Sequence, residues 1–433
     1  MTHDAAAARA LAQGFTLAGA GDAFIDDPYP TYAALREFDP VHALAPGSWL
    51  LTRYDDVLAV YRDARASSDK RREFAPKFGA SPLFEHHTTS LVFNDPPLHT
   101  RVRRLLLGAL NQRAIARMEA GVVALVDGLL DRLQGLQAPD LIEDFAARIP
   151  VEVIGNLLDV PHADRAPLRG WSLAILGALE PSPSVEVLAR GNAAVNEFKH
   201  YLAGLVAHRR RHPGDAQADV LTRLIQGEVG GEGTDSQGGA GAGPPRGREP
   251  GLGLPGARLS ELELLHNCIF LLNAGHETTT NLIGNGLHAL LGQHDQWMRL
   301  VAEPAWLGSA VEELLRFESP LQLNNRVTTA ELGIGGVRIP AGSFLTLAIG
   351  AANRDPAHFH QPDRLDVARN PNPHLAFGHG AHACAGMNVA RLEARIAFGR
   401  FLARYPGLQL SGTPVRDRRI RFRGWRTLPV NLR

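Results

Sequence analysis

Apolar residues recur at three- and four-residue steps through Arg113–Gln134, Val185–Arg211, Leu259–Gln293, Ser309–Phe317 and Met387–Tyr405, the spacing of helices that bury one face. Period-two alternation is confined to Ser48–Thr52, Leu332–Ile339, Ser343–Ala348 and Arg419–Arg421 with its neighbours, which read as strands. The pattern predicts a mainly α fold with small β-sheets, the β-rich portion coming from residues near 48–62 and 332–348 and from the tail. Ser260-Glu-Leu-Glu263 is a capping box, and the helix it opens would run about 50 Å, enough to cross the molecule. The pattern fails over residues 227–258, where glycine and proline dominate in runs such as Gly-Gly-Glu-Gly and Gly-Pro-Pro-Arg-Gly. Such a stretch buries too little surface to offset its ordering entropy, and it is expected to be a disordered surface loop within the domain. Residues 1–21 are expected to form a flexible N-terminus.

Composition narrows the function classes. A chain of 433 residues that is 45% hydrophobic can bury a large core in one to three domains, and motifs on both sides of the Gly/Pro stretch favour a single domain over 1–433. Basic and acidic residues balance at 45 each, which argues against nucleic-acid or anionic-membrane partners and for a small molecule. The two cysteines, Cys268 and Cys384, lie in no CxxC pair, so a disulfide framework, a structural zinc site and a covalent haem attachment lack support. No apolar run near the terminus reaches the ~18 residues of a membrane helix, and Ala5–Ala8 is too short for a signal h-region. A cytoplasmic monomer is expected.

Three segments carry chemistry. Phe377-Gly-His-Gly-Ala-His-Ala-Cys384-Ala-Gly386 runs straight into a helical pattern. Glycines 378, 380 and 386 would let backbone N–H groups approach the sulfur, and the positive end of the following helix would favour a thiolate without an alkaline pKa. Leu271-Leu-Asn-Ala-Gly-His-Glu-Thr-Thr-Thr280 places an acid and hydroxyls inside an apolar helix. Glu313 and Arg316 share a helix face at three-residue spacing, a pair that by itself is usually a solvated salt bridge.

Together these segments resemble the cytochrome P450 family. Its haem loop, Phe-Gly-x-Gly-x-x-x-Cys-x-Gly, is matched at every fixed position by residues 377–386. The resemblance implies the single-domain P450 fold and haem b with Cys384 as the iron ligand. A thiolate there donates electron density that favours O–O cleavage. It implies Phe377 packed near the sulfur and His382 bonded to a propionate. Ala274, Gly275, Glu277 and Thr278 match the family's Ala-Gly-x-Asp/Glu-Thr-Thr. Gly275 would open space for oxygen, Thr278 would bond the distal oxygen, and Glu277 would relay protons from solvent. Propionate partners are implied at His99, Arg103 and Arg326. Glu313 and Arg316 would form a buried pair completed by Arg364 of Pro362-Asp-Arg364, with a folding role. The Gly/Pro insert departs from the family's shorter link.

The implied reaction is insertion of one atom of O2 into a C–H or C=C bond of a small hydrophobic substrate. Electrons would come from a separate ferredoxin and its NAD(P)H-dependent reductase, docking on a surface with Arg101, Arg104 and Arg113. A peroxide-driven peroxygenase would keep the cysteine but lack the acid–alcohol pair, and a haem-binding sensor or carrier would need no proton relay. Pocket walls are expected from Ser67–Leu91, Leu168–Val187, Leu271–Asn273 and Leu321–Asn325, with Arg71 or Arg72 as a candidate carboxylate anchor.

Overall fold

The apolar stretch behind the capping box folds as one helix, Glu261–Leu291, and the remaining elements are arranged around it. Both halves of the box form: Ser260 Oγ accepts from Glu263 N, and the Glu263 carboxylate accepts from Ser260 N. The computed structural model describes residues 3–215, 219–226 and 259–432. The stretch 227–258, expected as a disordered loop, lies outside the described residues.

Helices Gln112–Gln134, Val185–Arg211, Leu307–Phe317 and Met387–Arg404 keep close to their predicted limits. Leu129 and Leu133 of the first, Ile283 and Leu287 of the central helix, Leu314, Phe398 and Phe401 share one core. A second core joins Phe198 and Leu202 to Leu264, Cys268, Ile269 and Leu272 on the other half of the central helix. Each such large side chain contributes about 1.5–3 kcal/mol when buried. Cys268 belongs to this packing, and burial pushes its thiol up to about 12.

The main sheet has five strands in the order Val41–Ala45, Ser48–Leu51, Phe344–Ala348, Leu323–Thr328, Ala66–Ser67. Ser48–Leu51 runs parallel to Phe344–Ala348 and the other pairs are antiparallel. Leu323–Thr328 escaped the sequence reading because Arg326, Val327 and Thr328 are all buried in succession, which erases alternation. Two expectations are corrected. Tyr54–Arg62 is a helix, so the strand portion near 48–62 ends at Leu51. Arg419–Arg421 forms no strand; Phe422 makes one isolated bridge to Leu321, and the strands lie at Val415–Arg416 and Trp425–Thr427. The side chains there are drawn to buried acceptors instead, Arg419 to Glu277 and Asp417 and Arg421 to the carbonyls of Leu179 and Leu323. Residues 1–21 contain helix His3–Gln13, anchored by Ala12 and Phe15 beside Phe24, Tyr32 and Leu35. The flexible terminus inferred from small residues overlooked these two anchors.

Candidate active site

The cysteine loop is built by backbone. Gly378 and Gly380 adopt φ of +66° and +72°, a region L side chains avoid, and a Cβ on Gly380 would lie 2.9 Å from the Tyr61 carbonyl oxygen. The loop closes through Cys384 N–H donating to Phe377 O at 2.8 Å. Gly386 caps helix Met387–Arg404, whose positive end faces back along the loop. The Cys384 side chain is accessible although protein surrounds it closely, and that burial raises its thiol. The Gly386 N–H and the charges of Arg103 and Arg391 oppose the rise. A bound cation would add to these opposing effects and favour the anion. Arg391 was not foreseen. It is fixed by Glu312 at 2.7 and 2.8 Å, and its guanidinium lies 4.7 Å from the centre of the Phe377 ring.

His99, Arg103, Arg326 and His382 gather beside this loop. The His99 and His382 rings stack with centroids 3.8 Å apart. Arg326, on the unforeseen strand, is buried with its guanidinium over Tyr61. Burial lowers His99, whose ring also feels Arg103, and holds His382 down to about 3. Asp95 approaches this group, its carboxylate 3.9 Å from His382 Nε2. His99 Nε2 is buried without a hydrogen-bond partner. Several cationic or donor side chains, one acid and an orphaned imidazole nitrogen fit a buried dicarboxylate such as the propionates of haem b.

On the central helix, Ala274 is exposed and Thr278 partly so, although most of their neighbours are buried. Thr278 Oγ1 donates to Ala274 O at 2.8 Å, the back-bond of a helical threonine. A Cβ on Gly275 would collide with Ile154 Cδ1, so the glycine also permits close passage of helix Arg148–Leu157. Glu277 is 4% exposed and paired with Arg419, which Asp417 also holds through Nε at 2.6 Å. These partners lie over a hundred residues apart, and no local spacing announces them.

Glu313 and Arg316 form a fully buried pair, Nε to Oε2 at 2.8 Å. The third member is Arg369, Nε to Oε2 at 3.0 Å. Arg364 contributes its backbone carbonyl while its side chain is exposed, so its assignment is corrected. Arg71 is occupied by Asp69, Asn94 and Thr88 O, and Arg101 by Glu263 at the start of the central helix. Arg71 keeps 52% and Arg101 29% of its side chain exposed.

Comparison with known proteins agrees with this geometry. The family model "Cytochrome P450" matches residues 252–423. Cytochrome P450 107B1 of Saccharopolyspora erythraea is 38% identical, covering 94% of this chain and 96% of the relative. The vitamin D(3) 25-hydroxylase of Pseudonocardia autotrophica is also 38% identical, with 90% and 89% covered. The crystal structure of P450BioI in complex with hexadec-9Z-enoic acid ligated acyl carrier protein superposes with a TM-score of 0.84 at 33% identity, over 95% of this chain and all of that one. Among the described residues no helix is long and apolar enough to cross a membrane. The chain belongs to the cytochrome P450 family and is a haem-thiolate monooxygenase, of the class that binds haem b through a cysteine.

Proposed function

We propose that this enzyme hydroxylates or epoxidises a small hydrophobic organic molecule in the cytoplasm, as a monomer, with electrons from a ferredoxin and its NAD(P)H-dependent reductase. The observation that carries the reading is Cys384, accessible on a glycine-built loop between Arg103 and Arg391 and beside the His99–His382–Arg326 group. Haem b, when bound, supplies reductive activation of O2 and transfer of one oxygen atom to substrate. Cys384 would bind its iron, and His99, Arg103, Arg326 and His382 would hold its propionates. Thr278 and Ala274 would border the oxygen site, with the Thr278 hydroxyl a donor that can turn from Ala274 O. Glu277 would carry protons inward, with Arg419 compensating its charge between transfers. The vitamin D(3) 25-hydroxylase among the relatives supports hydroxylation of an organic substrate, and Arg113, exposed at the start of helix Gln112–Gln134, is a candidate contact for an acidic ferredoxin.

The test is reconstitution with a bacterial ferredoxin, its reductase and NAD(P)H under 18O2, against a panel of terpenoids, macrolides and fatty acids. One labelled oxygen atom in a product, formed only with the redox partners, is the expected result. Product with hydrogen peroxide alone at equal rate would favour a peroxygenase, and haem binding with no product under either regime would favour a sensor or carrier.

A further inference from the structure

A chain of polar side chains runs from the surface to the central helix, apart from the Glu277–Arg419 pair. Lys199 Nζ donates to Glu85 Oε1 at 2.7 Å. The same oxygen lies 2.9 Å from His266 Nε2, His266 Nδ1 is 3.3 Å from His86 Nδ1, and His86 Nε2 is 3.5 Å from Asn273 Nδ2. Glu85 is 40% exposed, whereas His266, His86 and Asn273 are 0%, 2% and 4% exposed.

The carboxylate fixes the direction of every link. Lys199 and His266 hold the Glu85 carboxyl below its usual range, so it accepts. His266 must then donate from Nε2 and accept at Nδ1. Burial keeps both imidazoles neutral, so neither ring donates from both nitrogens. His86 therefore donates from Nδ1 and accepts at Nε2, and the amide it faces must present its NH2. Turning Asn273 over would reverse both tautomers and set two acceptors against each other at Glu85. The outcome is that Asn273 Oδ1 points away from the chain, and it is buried without a partner. Asn273 directly precedes Ala274, an exposed position in the middle of the central helix. A buried amide oxygen without a donor loses free energy that a ligand group can return.

We propose that Asn273 Oδ1 accepts a hydrogen bond from a hydroxyl or N–H of the substrate. Glu85, His266 and His86 are then positioning residues for a specificity-determining side chain, and the substrate carries a donor group rather than being a bare hydrocarbon. The inference rests on the monooxygenase reading of the same site.

The test uses the haem-loaded enzyme and probes whose imidazole binds the iron: 4-phenylimidazole and its ortho, meta and para hydroxyphenyl and methoxyphenyl analogues, with Kd read from the difference spectrum. In the wild type one hydroxyl isomer should bind about 3- to 10-fold more tightly than its methoxy counterpart, the value of one net hydrogen bond. That margin should fall below about two-fold in Asn273→Leu. It should also shrink in His86→Phe, where Asn273 remains but its amide is free to turn. Haem content and the carbon monoxide spectrum establish that both variants are folded. A wild type that favours no hydroxyl isomer, or a margin that survives Asn273→Leu, overturns the proposal. Absence of any spectral shift with every imidazole would instead overturn the haem reading, and this inference with it.

Discussion

Replacing Arg369 with alanine should destabilise the protein far more than the same change at Arg364. Glu313 is fully buried and accepts from Arg316 Nε and Nη2 at 2.8 Å each, Arg369 Nε at 3.0 and 3.1 Å, Asp366 N at 3.0 Å and Asn372 Nδ2 at 3.1 Å. Arg369 also donates to the carbonyls of His360, Gln361 and Arg364. Its loss leaves Glu313 still neutralised by Arg316, so the cost stays below the full penalty of an uncompensated buried charge, about 3–5 kcal/mol. Charge-assisted hydrogen bonds at about 1.5–3 kcal/mol each, in a side chain only 12% exposed, give a loss of about 3 kcal/mol. Unfolding entropy of about 2.1 cal/mol/K per residue over 433 residues is about 0.9 kcal/mol/K, so Tm should fall by about 3 °C. Arg364→Ala should stay within about 0.5 kcal/mol, as for surface substitutions generally. Thermal unfolding followed by far-UV circular dichroism at matched haem content reads both. An equal or larger loss in Arg364→Ala would refute the reasoning.

Gly275→Ala should cost about 1–3 kcal/mol by overpacking, and adding Ile154→Val, which removes the Cδ1 atom in conflict, should restore most of it in the same unfolding assay. Arg326→Ala should speed haem transfer to apomyoglobin by about ten-fold or more, the loss of one charge-assisted partner; an unchanged rate would remove Arg326 from the propionate site. His276 is fully buried with no hydrogen-bond partner on either nitrogen among the described residues, and burial holds it down to about 3. Its folded value lies below the ordinary 6.5, so the unfolded chain takes up this proton first, and stability should fall as pH drops from about 6.5 towards 3. His276→Phe should flatten that acid limb in urea titrations, and an identical limb would contradict this.

The cysteine loop, the central helix and the Glu313–Arg316 pair were legible because their residues act at fixed local spacing: a turn with glycines at positive φ, a capping box, an i,i+3 contact. What escaped the sequence joins distant segments. Arg369 replaces Arg364 because the loop after Pro362 folds back, a path that periodicity does not encode. Arg419 reaches Glu277 from a tail whose arginines imitate a strand. Gly275 shows the same limit, since nothing in its motif announces that helix Arg148–Leu157 packs where a side chain would stand. Arg391 could have been suspected from its position one helical turn and more beyond Cys384, on a helix that starts at the loop.

The central claim is thiolate ligation by Cys384, and the carbon monoxide difference spectrum of the dithionite-reduced protein tests it most directly, beside Cys384→Ala and the buried-cysteine control Cys268→Ala. A strongly red-shifted Soret band in the wild type and in Cys268→Ala, lost in Cys384→Ala, is the predicted result. Haem bound without that shift, or a shift that survives in Cys384→Ala, would contradict the account.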